Sequence, residues 1–161
     1  MTEPFVVNVS EAPASAHPRA GITVAFENPE DRFPDFGINI QMLQPGEPGG
    51  LYHSESVQED FLVLGGTPRV ILNDEARDLR PWDFVHCPPG TDHVFVGGCE
   101  GPSWILMVGA RGPDATIHYP RNEAAAAYGA SAEESTDEPR RAYAAWSEDF
   151  SETTMPWPPT G

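Results

Sequence analysis

Apolar residues in this chain come in short runs with breakers between them. FGINIQML at Phe36–Leu43, FLVL at 61–64, RVIL at Arg69–Leu72, FVHC at Phe84–Cys87, HVFV at His93–Val96 and SWILMV at 103–108 are too short for amphipathic helices. Glycine, proline, asparagine or aspartate flanks most of them, so the pattern predicts strands joined by turns. Within 103–108, Trp104, Leu106 and Val108 share one face, and Ile105 and Met107 share the other. The 61–64 run is apolar on both faces. One can line an interior; the other needs a second sheet, the N-terminal arm or a partner subunit. Asn73-Asp74 predicts a hairpin turn, with a return strand at 77–80.

The flanks read differently. Residues 5–9 and 21–26 predict two further strands, separated by an Ala/Pro-rich connector at 11–19 in which His17 is expected to be solvated. A polar turn follows at 28–34. Gln41 either points inward as a polar contact or makes a cross-strand hydrogen bond. RNEAAAAY at 121–128 predicts a helix closed by Gly129, 130–138 an acidic linker, and 140–150 a second short helix with Tyr143, Ala144 and Trp146 as its packing stripe. Prolines hold 155–161 extended, and Trp157 docks on the barrel or a neighbour. The expected organisation is an N-terminal arm with strands at 1–35, a barrel at 36–118, and a helical, proline-rich tail at 119–161.

Composition agrees with many short strands. The 161 residues suit one domain with a real core, and 18 prolines with 15 glycines favour turns over a helical bundle. The formal net charge is -16, and all nine basic residues are arginine. That charge argues against nucleic acid or an anionic membrane as partner. The start MTEPFVVNVSEAP lacks a signal sequence and no run approaches a transmembrane length, so a cytoplasmic protein is expected. Cys87 and Cys99 are then expected to be free thiols, Cys87 as a small core residue or, alternatively, a neighbour of the site discussed next. No phosphate loop and no Ser-His-Asp signature is present.

Two stretches carry candidate chemistry. GLYHSESVQEDFLVLGG at 50–66 places His53 and Glu55 on one strand face and Glu59, Phe61 and Val63 on another. If the two strands pair, His53, Glu55 and Glu59 share an interior face. Carboxylates buried there need a partner, because an unpaired buried charge costs several kcal/mol, about the magnitude that coordination to a cation relieves. The alternative is a solvated polar turn. WDFVHCPPGTDHVFVG at 82–97 supplies a second histidine: Pro88, Pro89 and Gly90 force a turn that fixes the direction of His93. The alternative there is a histidine that hydrogen-bonds at a strand end.

These stretches resemble the two motifs of the cupin superfamily in its small single-domain conserved-barrel form. His53, Glu55, Glu59 and Gly66 stand at the spacings of G-x5-HxH-x3,4-E-x6-G. Pro88, Gly90 and His93 match G-x5-PxG-x2-H-x3-N. Glu55 replaces the second histidine, Glu47 the first glycine, Trp82 the glycine opening the second motif, and Gly97 its asparagine. The resemblance covers about residues 36–110. It implies an all-β fold, the cupin double-stranded β-helix or jelly-roll barrel, here with an N-terminal strand extension and short C-terminal helices. It also implies a divalent metal ion (Fe, Mn, Zn or Ni) on His53, Glu59 and His93. Two histidines and a carboxylate resemble a facial triad, and a fourth carboxylate would favour a harder metal. Glu55 is then either a fourth metal ligand or a catalytic acid or base beside the metal. A barrel with no metal is the third outcome.

The implied function is chemistry on a small organic metabolite at that metal, of dioxygenase, isomerase or lyase type, with Phe61, Val63 and Trp104 lining the interior. The alternative is a non-catalytic small-molecule-binding or sensor barrel with a degenerate metal site. A homodimer is the expected assembly.

Overall fold

Alternation along the strands sorts the side chains onto two faces, and the faces decide the architecture. The computed structural model describes residues 3–157. In chain order the elements are β1 (Ala14–His17), β2 (Gly21–Ala25), β3 (Phe36–Leu43), β4 (Ser54–Glu55), β5 (Glu59–Gly65), β6 (Arg69–Leu72) and β7 (Glu75–Asp78). There follow β8 (Phe84–Cys87), β9 (His93–Val96), β10 (Ser103–Ala110), β11 (Ile117–His118), α1 (Glu123–Ala126), α2 (Pro139–Ala142) and β12 (Ser151–Thr153). A seven-stranded sheet runs β12-β1-β2-β3-β10-β5-β8, a three-stranded sheet runs β7-β6-β9, and β11 pairs with β4. All pairings are antiparallel, and the fold is the expected all-β jelly-roll barrel.

The two sheets close on one apolar core. Phe61, Val85, Cys87 and Ile105 from the large sheet meet Val70 and Phe95 from the small one, with Leu43 at the end of β3. Each fully buried aliphatic or aromatic side chain contributes about 1.5–3 kcal/mol, and Ile105 and Leu43 have no exposed surface. The outer face of β1, β2 and β3 has its own cluster, in which Ala14, Val24, Ile40 and Trp104 pack with Ala12 and Met155. Trp104 therefore lies outside the interior, contrary to expectation. Its indole N–H donates to the Pro156 carbonyl at 2.9 Å.

The flanks depart most from the sequence-based reading. Residues 5–9 form no strand, and Val6 is exposed. The expected connector instead contains β1, because Ala14–His17 finds ladders on both sides, with β2 and with β12. His17 is buried, not solvated: its Nδ1 accepts from the Arg19 N–H at 3.1 Å, so Nε2 carries the proton and donates to the Ser147 carbonyl at 2.8 Å. The return strand of the β6–β7 hairpin is Glu75–Asp78, two residues earlier than expected, with Asn73 and Asp74 both at positive φ in the turn. Both helices shrink to single turns. Asn122 caps the first by accepting from Ala125 N–H, and the second ends at Ala142, with residues 147–150 irregular ahead of β12. The expected linker is anchored: Ala130 and Ala132 are buried, and Tyr119 bridges Thr136. Trp157 packs against the outer cluster; the rest of the expected extended end, 158–161, lies outside the described residues. Both cysteines are free, and Cys87 is buried.

The backbone bears on two departures from the family motif, opposing one and requiring the other. Trp82 sits at φ 74, a conformation costly for a bulky residue, where the motif has glycine. Its amide still donates to the Val63 carbonyl at 2.8 Å, so the turn survives the substitution. At Gly97 a Cβ would lie 2.0 Å from the Gln44 carbonyl oxygen, so the asparagine of the motif does not fit this chain.

The Trp82→Gly variant is expected to be more stable by ~0.5–1 kcal/mol, relief of left-handed strain outweighing the added unfolded-state entropy. Gly97→Asn should destabilise by at least about 2 kcal/mol. Urea melts at constant m-value read both; a Trp82→Gly variant weaker than wild type would contradict the strain.

Candidate metal centre

The candidate residues converge because two short backbone segments pair beside the strand that carries Glu59. His53 lies just before β4, and His93 opens β9. They form an isolated antiparallel bridge, the His53 N–H donating to the His93 carbonyl at 3.1 Å and the His93 N–H donating back at 2.8 Å. The turn before His93 is pinned as the sequence predicts. Gly90 takes φ 81 and donates to the Glu55 carbonyl at 2.7 Å, and Thr91 Oγ1 donates to the Pro88 carbonyl at 2.7 Å. Paired residues of an antiparallel ladder put their side chains on one face, so the two imidazoles stand side by side, ring centroids 4.7 Å apart.

Backbone carbonyls set the tautomer of both rings. His53 Nδ1 lies 2.7 Å from the Leu51 carbonyl and His93 Nδ1 lies 3.0 Å from the Thr91 carbonyl. A carbonyl only accepts, so each Nδ1 carries the proton and each Nε2 is left with a bare lone pair. Both Nε2 atoms face Glu59 Oε2, at 3.9 Å from His53 and 3.4 Å from His93. The three ligand atoms lie within 4.8 Å of one another.

That arrangement fits a cation. Two imidazole lone pairs and a carboxylate oxygen are all acceptors, and they repel unless something positive lies among them. Burial sharpens the demand. Desolvation first, then the neighbouring Glu55 charge, pushes the Glu59 carboxyl up to about 8. Desolvation, then the nearby His53, lowers His93 to about 4. His53 is also lowered, chiefly by burial. In the cation-free site, therefore, both imidazoles are neutral and Glu59 holds a proton. His53, Glu59 and His93 match a donor set of neutral nitrogens and one carboxylate that binds divalent metals, with the carbonyls of Leu51 and Thr91 orienting the rings from behind.

Glu55 is placed differently. It is not among the three residues whose ligand atoms converge. It lies on β4 across from Ile117 and lines a cavity of about 440 Å³ with Glu59, Phe61, Asn39, Arg32 and Arg111. Phe61 packs 5.1 Å from the His93 ring, consistent with its expected lining role. Val63, fully buried, is not part of this cavity's wall. Cys87 is paired across from Glu59, and burial with the nearby carboxylates pushes its thiol up to about 12.

Other residues have no motif to announce them. Tyr119 packs 5.7 Å from the His53 ring and is buried, with its hydroxyl pKa raised mainly by desolvation. Arg111 donates to the Glu27 carboxylate, at 2.9 Å to Oε2, and to the Phe33 carbonyl at 2.5 Å. That hydrogen bond is the main reason the Glu27 carboxyl lies below the usual range. It ties the cavity rim to the loop before β3. The only sequence signal for Arg111 is its place at the end of the last barrel strand.

Residues 39–109 match the family model of the cupin domain. No curated protein matches the chain. Among solved structures it is similar to the polyketide cyclase RemF from Streptomyces resistomycificus (TM-score 0.59, 18% identity, 70% of this chain and 84% of that one). It is also similar to a cupin-superfamily sugar phosphate isomerase from Silicibacter pomeroyi (TM-score 0.55, 20% identity, 87% and 80%). A candidate sugar phosphate isomerase from Acidithiobacillus ferrooxidans matches over 61% of this chain and spans less than two thirds of its own, 65% (TM-score 0.53, 20% identity). At these identities the likeness is one of fold.

Metal binding should release one proton, because Glu59 must ionise while the imidazoles are already neutral. Affinity for Mn²⁺ is expected to rise about tenfold per pH unit from pH 6.5 and level off above about 8. Titration calorimetry in buffers of different ionisation enthalpy measures this, and Glu59→Gln should abolish the proton release with most of the affinity. A pH-independent affinity would contradict the protonated carboxyl.

Proposed function

We propose, on the premise that residues 39–109 are a cupin domain, that this protein is a metal-dependent enzyme acting on a small organic metabolite. The observation that carries the reading is the pair of bare Nε2 lone pairs aimed at Glu59. It stands beside a cavity of about 440 Å³, large enough for a metabolite. A divalent cation held by His53, Glu59 and His93 would polarise an oxygen of the substrate. Glu55 lines the same cavity outside the three-ligand group, which favours the proton carrier over the fourth ligand. Arg32 gives the cavity a basic group, the Arg111 guanidinium being bound to Glu27 and the Phe33 carbonyl, and suits a substrate bearing an anionic group. Phe61 and Met107 offer apolar contact to the rest of it.

Similar folds that include a sugar phosphate isomerase and a polyketide cyclase support chemistry that rearranges bonds around a carbonyl. An oxygenase or a lyase uses the same donor set, and the panel of substrates decides among them. A second copy of the chain is the expected partner. The half-buried outer positions Leu62 and Leu106, with the exposed Phe84, leave apolar surface for one. A non-catalytic binding module is the competing reading, favoured by glutamate in place of the motif's second histidine.

Elemental analysis after growth with iron, manganese and zinc should find about one metal per chain, lost in His53→Ala and in His93→Ala. Metal-loaded protein in D₂O, offered small hydroxy-carbonyl and keto acids, should exchange a carbon-bound proton by NMR. Glu55→Gln should keep the metal and lose the exchange by a factor of about 10²–10⁴. Glu55→His, which restores the motif, should hold the metal at least as tightly. A metal-free wild type would remove the basis of the reading, and metal without turnover would favour the module.

A further inference from the structure

Beside Glu59 the inner face of the large sheet is bare of side chains over two strands. The antiparallel register places Glu59 on β5 opposite Gly109 on β10, and Gly109 opposite Gly37 on β3. The next row inward is Phe61, Met107 and Asn39. Residues paired across a ladder share a face. The two glycines therefore clear a notch next to a metal ligand, and both line the cavity of about 440 Å³.

The two glycines differ in what accounts for them. Neither has a positive φ, so the backbone does not demand glycine at either place. A Cβ at Gly37 would lie 3.3 Å from Arg111 Nη2; that glycine makes room for the guanidinium that Glu27 holds. At Gly109 a Cβ would meet only Glu59, its Cγ nearest at 3.9 Å, an ordinary contact. No neighbour among the described residues needs this position to be bare. β10 lies between β3 and β5 in the sheet, and there glycine weakens a strand by its backbone freedom and by the packing it forgoes. What it leaves is open space over the β10 backbone. Asn39 borders that space. It is half-buried, it lines the same cavity, and its carboxamide makes no hydrogen bond among the described residues. It therefore offers an acceptor and a donor to an occupant. Two strand spacings, roughly 10 Å, separate its backbone from that of Glu59.

We propose that Gly109 is the residue that sets the size and approach of the substrate, and that Asn39 reads a second polar group on the same molecule. The proposal rests on the reading of this cavity as the substrate site of a metal enzyme. The substrate lies along the sheet with one oxygen-bearing end beside Glu59. It crosses the β10 backbone at Gly109, where any side chain would stand in its path, and presents a hydroxyl to Asn39. The class that fits is a polyhydroxylated acid or carbonyl long enough to reach both ends of the notch. A shorter acid reaches the metal end alone.

The probes are ribonate, which reaches both ends, and glycolate, which reaches one, titrated into Mn²⁺-loaded full-length protein. Water-proton relaxation by the bound Mn²⁺ reads their binding without turnover. Ribonate is expected to bind several-fold tighter than glycolate, and Asn39→Leu should remove that advantage while leaving glycolate unchanged. Gly109→Ala should raise the urea midpoint, hold Mn²⁺ as tightly as wild type and weaken ribonate about tenfold; Gly109→Val should weaken it further. A glycine kept for packing gives the opposite sign in stability. Ribonate bound no more tightly than glycolate overturns the proposal. So does ribonate affinity unchanged in both Gly109 variants, or a Gly109→Ala protein that loses stability and Mn²⁺ together. These failures leave the enzyme reading standing, whereas a wild type that takes up no Mn²⁺ overturns that reading and the proposal with it.

Discussion

Two histidine lone pairs aimed at one buried carboxylate set the demand that the rest of the barrel answers. The His53–His93 backbone bridge fixes the spacing of the rings, and the Leu51 and Thr91 carbonyls fix which nitrogen is bare. β5 brings Glu59 beneath them, and the apolar core below, from Phe61 to Ile105, prevents retreat into water. Without a cation, one proton on Glu59 serves two bare nitrogens, so a buried acceptor stays unsatisfied. The strands hold this arrangement because they are held by the core, so the fold supplies the stability that the site lacks.

The barrel was legible in the sequence because its strands are short, apolar and separated by strong turn residues. Phe36–Leu43, Phe84–Cys87 and His93–Val96 fall where the pattern puts them. The three converging site residues were legible for a different reason: motif spacing records which strand positions face inward. Glu55 shows the limit of that signal. Its spacing matches a ligand position, yet its side chain serves the cavity and not the three-residue cluster. Tyr119 and Arg111 were not legible, because their roles come from tertiary neighbours with no local pattern. The same holds for β1 and β12, short polar segments that become strands only through each other and β2. The alanine-rich segment at 121–128 is limited to a short helix by its own ends: Asn122 caps it, Gly129 closes it at φ 67, and the next residue, Ala130, gives its carbonyl to the Tyr52 N–H.

One sheet face carries two different environments. Toward β5 and β8 it is closed by the small sheet and holds the acidic residues. Toward β1 and β2 it extends past the small sheet, and the segment after α2 covers it instead. The extension is what distinguishes this chain from a bare barrel. Its outer face is covered by Met155 and Trp157, its inner face by Tyr143 and Trp146. Tyr143 and Tyr119 pack edge to face between the two regions, so the tail is in contact with the ring that backs His53.

The pairing of β1 with β12 has a consequence for biosynthesis. Ala14 meets Thr153, near opposite ends of the described chain. On the ribosome, β1 emerges well before β12 and waits with one edge unsatisfied until the segment between them has been made. Such late closure of a distant contact slows the final folding step and leaves an open strand edge exposed to other nascent chains meanwhile. The His53, Glu59 and His93 segments emerge well before that, so the ligand set can assemble while the sheet is still missing its last strand.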